Sequence, residues 1–203
     1  DAHPITTQEL DIFLGKNFLV TVHDNPLKNV VMVKQRCREK TDVLSKGADY
    51  ILYLVMDNLV DSYFPLLDQM DREIDEIEDT VFTKPTPDLL NHMFSLKRAL
   101  MSIRRVINPQ REIIVNVSRR DVKFIRQETL IYFRDIYDHL FRMTDSIDTY
   151  REILGNAFDA YLSVTSNQLN AVMKTLTIIT TIMMPGTLIA SFYGMNFEYM
   201  PHL

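Results

Sequence analysis

Between Pro109 and Pro185 the chain contains no proline, and Gly155 is the only glycine in that interval. Proline and glycine are the residues that most often end helices, so little here stops one. A helix from about Ile131 to Tyr193 would have roughly 60 residues and a length of roughly 90–95 Å at 1.5 Å per residue. No small globular domain encloses such a helix; it must project from its domain or cross something. From Thr175 to Phe197 there is no charged residue, and a run of that length spans a bilayer with some tilt. Lys174 stands immediately before the run and Glu198 immediately after it. The lysine favours a cytoplasmic side for the residues that precede the run.

The rest of the chain has another character. Its 203 residues suffice for one domain with an appendage, and a 46% hydrophobic and 24% charged composition excludes a disordered protein. A net charge of −5 argues against a nucleic-acid partner. Cys37 is the single cysteine, which excludes an internal disulfide and any cysteine-based zinc site. Asp1-Ala-His-Pro4 lacks the basic start and apolar core of a signal peptide.

Leu10 to Leu14 and Phe18 to His23 are rich in aromatic and β-branched residues, and Gly15-Lys16-Asn17 between them predicts a β-hairpin. Asn25-Pro26 predicts a helix start, with asparagine as the cap and a helix to about Lys40. Tyr50 to Phe82 reads as one helix, apolar at Leu52, Val55, Met56, Leu59, Val60, Tyr63 and Leu66. Its second half is acidic, from Asp68 to Asp79. After Lys84-Pro85-Thr86-Pro87 a second helix carries Lys97, Arg98, Arg104, Arg105, Arg111, Arg119 and Arg120. The expected arrangement is an antiparallel hairpin with an acidic arm facing a basic one, the two arms being simply solvated or the acidic one gathering divalent cations near a pore.

The uncharged segment is not a plain lipid anchor. Asn170, Met173, Thr177, Thr180, Met184, Thr187 and Ser191 recur at intervals of three or four and form one semi-polar stripe. Such a stripe either lines water or packs against sister helices, and the residues alone leave both open. One helix cannot enclose a pore, so a water-lined stripe requires several copies. The stripe holds no ionisable group of the kind a proton-coupled pump places at that depth. A neutral pore suits an ion that keeps much of its water shell.

The run Tyr193-Gly194-Met195-Asn196-Phe197-Glu198-Tyr199-Met200-Pro201 ends this segment, and it closely resembles the signature of CorA-type magnesium and cobalt transporters. Phe13 to His23, Tyr132 to His139 and Val172 to Ile179 also resemble that family, so the likeness covers almost the whole chain. It implies a homopentameric, channel-like protein of the cell (inner) membrane, potential-driven and gated by cytoplasmic Mg2+. Mg2+ would be substrate and regulatory ligand, with no cofactor. The partners would be further copies of the chain, the lipid bilayer and divalent cations.

The expected fold is α+β, in five parts. Residues 1–48 would be the last part of a cytoplasmic α/β domain and 49–128 a helical hairpin. Residues 129–173 would be a stalk helix, 174–196 the first membrane helix, and 197–203 the start of an outer loop. Measured against the family, the start of the α/β domain, a second membrane helix and a basic tail are missing.

The resemblance also assigns residues. Gly194, Met195 and Asn196 would form a filter at the outer pore mouth, Gly194 allowing a backbone turn that aims carbonyls inward. Oxygens there can hydrogen-bond the waters of Mg2+, which sheds them reluctantly. Asn170, Met173, Leu176, Met184 and Thr187 match pore-lining positions, Thr180 joins them on the stripe, and Asp159 matches an acidic ring at the cytoplasmic end. Asp57 and Asp135 match positions of a cytoplasmic subunit interface where Mg2+ holds the closed state. Glu198 remains in the outer loop, but His202 stands where the family usually has an acidic residue, weakening cation attraction when protonated. Three alternatives stand beside this reading. One is a relative carrying zinc or another divalent ion, and one is a membrane-anchored structural or sensor protein with a coiled stalk. The third is an enzyme using Asp135, Asp138 and His139, for which no further ligand or phosphate-binding loop is seen.

Overall fold

The computed structural model describes residues 6–119 and 122–194. It opens with a two-stranded antiparallel sheet, β1 (Asp11–Leu14) and β2 (Leu19–Val22), in the register Asp11 to Val22 and Leu14 to Leu19. The Gly15 amide closes the turn on the Phe18 carbonyl at 2.9 Å. Helix α1 (Lys28–Glu39) starts later than Asn25-Pro26 predicts. Its N-cap is Leu27, without a side-chain bond, and the Asn25 carbonyl is instead bonded to the His23 ring at 2.7 Å. A short helix α2 (Thr41–Ser45) follows.

The single helix expected from Tyr50 to Phe82 is two, α3 (Ala48–Asp61) and α4 (Phe64–Thr83). Pro65 is the cause. It has no amide for the Asp61 carbonyl, and its ring would clash with that carbonyl. The chain yields at Ser62 and Tyr63, whose amides tighten onto Leu59 and Val60 at 3.2 and 3.0 Å.

Helix α5 (Pro87–Ser118) is capped by Thr86, whose hydroxyl accepts from the Leu89 amide at 3.3 Å. Helix α6 (Leu130–Tyr193) has 64 residues and is therefore about 96 Å long. The core forms where α4 and α5 lay their apolar faces on its first half. Met70, Ile74 and Ile77 of α4, Leu100, Ile103 and Ile107 of α5, and Phe133, Ile136, Leu140 and Ile147 of α6 are buried in one cluster. Each set recurs at three, four or seven residues, the spacing of a buried helix face.

Among the described residues no carboxylate of the acidic arm pairs with a lysine or arginine of the basic one; both arms lay their apolar faces on α6. Glu73 to His92, at 3.6 Å, joins the arms, while Arg104 reaches Asp148 of α6 at 3.1 Å. Burial and then Asp71, with Asp68 and Asp75, push the Tyr150 phenol up to about 12. The acidic face thus acts mainly on α6 and solvent.

Candidate functional site

Beyond Thr165 the bundle ends and α6 continues alone. From Ser166 to Gly194 every residue is exposed in the single chain, a bare stretch of about 40 Å. It contains a window of mean hydropathy 1.5 with none of it buried, long and apolar enough to cross a membrane. Polar side chains survive there because the helix satisfies them. Thr175, Thr177, Thr180, Thr181 and Thr187 each donate their hydroxyl to the carbonyl four residues back, at 2.8–3.0 Å. With the proton committed, each hydroxyl oxygen presents only lone pairs outward. That suits the outward-pointing hydrogens of a hydrated cation.

Asn170, Met173, Leu176, Thr180, Met184 and Thr187 all lie on this helix, along one side of it. Asp159 is exposed on the stalk, two residues before the last buried one, Tyr161. Gly194 ends α6, its amide on the Ala190 carbonyl at 2.9 Å. Its φ of −84° lies in the ordinary helical region, so the turn at Gly194 uses no glycine-only conformation. What the missing side chain permits is close packing: a Cβ would stand 3.1 Å from that carbonyl. Met195, Asn196, Glu198 and His202 lie outside the described residues.

The other candidates meet where α3 and α6 run side by side. Asp49 touches Thr129, Tyr53 stacks on Tyr132 at 4.9 Å, and Asp61 approaches His139 at 3.8 Å. These pairs climb both helices together, so α3 and α6 are parallel. Asp57 and Asp135 fall between the last two pairs, and the Asp135 charge bears on Asp57. Burial and then the Asp61 carboxylate push the Asp57 carboxyl up, against the opposing pull of Tyr53 and His139. Burial and then Asp57 push the Tyr53 phenol up to about 12. Among the described residues no three His, Cys, Asp or Glu side chains are grouped to hold a metal ion. A cation at Asp57 and Asp135 therefore needs ligands from beyond these residues, or water. Asp138 is exposed and, among the described residues, forms no such group with Asp135 and His139.

Sequence reasoning missed one arrangement. Asp49, 3% exposed, accepts the Arg126 guanidinium on both oxygens at 2.7–3.2 Å, the Arg126 amide at 3.1 Å and the Thr129 hydroxyl at 2.6 Å. Burial pulls the Asp49 carboxyl up, but these bonds outweigh it and hold it below the usual carboxylate range. Gly47, at φ +91°, leaves room for the guanidinium, which also reaches the Lys46 carbonyl; a Cβ there would stand 2.7 Å from Arg126 Nη2. A cavity of about 640 Å3 between the hairpin, α3 and α5 is lined by Ile12, Leu52, Met56 and Ile107, and holds none of the candidate residues.

Known proteins share both the sequence and this architecture. The family described as CorA-like Mg2+ transporter protein matches residues 1–203. The cobalt/magnesium transport protein CorA of Thermotoga maritima is 41% identical over 202 residues, 99% of this chain and 58% of that protein. The complete structure of the CorA magnesium transporter from Methanocaldococcus jannaschii superposes with a TM-score of 0.81 at 27% identity, over 94% of this chain and 61% of that one. The chain thus spans about three fifths of the length of these relatives. With matched sequence, a matched long-helix fold and the bare apolar end of α6, the chain belongs to the CorA-like Mg2+ transporter protein family.

Proposed function

We propose that the whole protein is a divalent-cation channel of a cell membrane, chiefly for Mg2+ and also for Co2+ and Ni2+, built from several copies, five by family resemblance. The observation that carries this reading is the bare end of α6: uncharged and long enough to span, with a stripe of amide, thioether and hydroxyl groups along one side. Copies of this helix would surround the pore, with residues before about 174 in the cytoplasm. Met173, Leu176 and Met184 would form apolar constrictions, and Asn170, Thr180 and Thr187 acceptor rings for the waters of the ion. Asp159 would gather cations at the cytoplasmic end, and Gly194, Met195 and Asn196 would select them at the outer mouth, with Glu198 nearby. A divalent ion gains about 4–5 kcal/mol per 100 mV on entering a negative-inside cell, so no coupled ion is needed.

Cytoplasmic Mg2+ would close the channel at Asp57 and Asp135. Empty, these carboxylates repel each other and those of neighbouring copies; a bound cation bridges them and favours the closed arrangement. The test is Mg2+ influx into liposomes holding the full-length protein, with a potential and without a pH gradient. Influx should be abolished by Asn196→Ala and suppressed by internal Mg2+. Influx that needs a proton gradient, or none at all, overturns the reading.

A further inference from the structure

We propose that Asp49, Arg126 and Thr129 form a clamp that sets the axial register of α3 on α6, and so positions Asp57 beside Asp135 for the cytoplasmic cation. The inference rests on the reading of Asp57 and Asp135 as regulatory ligands.

The clamp is built for position. The Asp49 carboxylate is 3% exposed and receives the Arg126 guanidinium, the Arg126 amide and the Thr129 hydroxyl. The Arg126 side chain is half exposed, but the carboxylate is not, and a shift that withdrew its donors would leave a charge buried and unpaired. One helical turn is about 5.4 Å, enough to break every bond of the clamp. The remaining α3–α6 contacts are less directional. Tyr50 and Tyr53 pack on Tyr132 and Phe133, Leu52, Met56 and Val60 share the apolar cluster of α6, and Asp61 to His139 is a loose pair at 3.8 Å. The large apolar faces of α6 turn mainly to α4 and α5.

The clamp sits at one end of both helices: Asp49 in the first turn of α3, Thr129 as the N-cap of α6. Asp57 is then about 12 Å along α3 and Asp135 about 9 Å along α6. Their mutual repulsion works to slide the helices apart, and the clamp opposes it. Gly47, whose left-handed φ of +91° and absent side chain make room for Arg126, belongs to the same device.

The experiment measures Mg2+ influx into liposomes bearing the full-length protein over a range of internal Mg2+. Asp49→Asn should raise the internal Mg2+ that halves influx about 10–100-fold, with influx at zero internal Mg2+ unchanged within about twofold. Arg126→Lys, which keeps the charge but loses the two-pronged bond, and Thr129→Val should give smaller shifts in the same direction. They decide the matter if Asp49→Asn does not fold. Leu140→Ala, which destabilises the bundle away from the clamp, should not move the half-suppressing concentration; an equal shift there overturns the proposal. So do unshifted clamp variants alongside an Asp135→Asn that weakens suppression. If Asp135→Asn itself leaves suppression intact, the cation pair fails and the clamp's proposed role fails with it.

Discussion

Asp49 and Asp57 lie two turns apart on α3 and titrate in opposite directions. For Asp49, burial is outweighed by Arg126 and Thr129, and the folded carboxyl is the stronger acid. Its contribution to stability is therefore present above the unfolded value and is lost as pH falls through the lower folded value. For Asp57, burial and the Asp61 charge dominate, and the folded carboxyl is the weaker acid. Ionised Asp57 thus costs stability at neutral pH, and the cost is relieved as pH falls through the raised value. In the absence of divalent ions, Asp57→Asn should raise the Tm at pH 7 by about 2–4 °C, and the gap should close on acidification. Added Mg2+ should then raise the wild-type Tm more than that of the variant. The chain has no tryptophan, so circular dichroism is the suitable probe, and a lower Tm for Asp57→Asn at pH 7 would contradict this account. Asp57 and Asp135 were legible only through family resemblance, because nothing local distinguishes them from other helix carboxylates. The Asp49 clamp was not legible at all. Its partner Arg126 is 77 positions away, and only folding brings a loop cation to a first-turn carboxylate.

At the scale of elements, period and punctuation carried most of the information. The hairpin, α5 and the whole of α6 follow from residue spacing and from where proline and glycine stand. The errors have local causes. Pro65 divides the acidic helix from α3 because it denies the Asp61 carbonyl a donor, and α1 starts at Lys28 behind an uncapped Leu27, after Asn25 turns back on His23. Of the arrangements expected for the charged arms, apolar burial favours the simply solvated one. In water an exposed ion pair is worth about 0–1 kcal/mol, whereas a buried leucine or isoleucine contributes about 1.5–3 kcal/mol. Each arm therefore turned its apolar stripe to α6. Leu140, fully buried at the centre of that contact, gives a measure of it. Leu140→Ala should cost about 2–5 kcal/mol in thermal unfolding of the detergent-solubilised protein. A loss under about 0.5 kcal/mol, typical of a surface site, would show that this face is not the core.

For the whole molecule, one geometric fact governs the rest: α6 is both the central helix of the bundle and the candidate membrane span. Register set at its start is carried along the backbone ladder of α6 into the stripe, where Pro185 withholds one bond, the one to the Thr181 carbonyl. The bare half of α6 exposes all of its faces alike in one chain. Helical geometry distinguishes them. At about 100° per residue, Thr180, Met184 and Thr187 share one side, and Ile182 and Ile189 lie across from it. Single cysteines at Met184, Thr187, Ile182 and Ile189, in a full-length Cys37→Ser background, should separate the faces. Met184→Cys and Thr187→Cys should react with a membrane-impermeant thiol reagent, lose influx on reaction, and cross-link between copies on oxidation. Ile182→Cys and Ile189→Cys, facing lipid or a neighbouring helix, should stay unreactive and conducting. Equal reactivity on both sides would mean that the helix does not border a pore. Protection of the stripe alone, with intact influx, would assign it to packing between copies and move the ion path elsewhere. The expected pattern requires several α6 helices around one aqueous axis, because a lone helix in lipid offers neither face to a charged reagent.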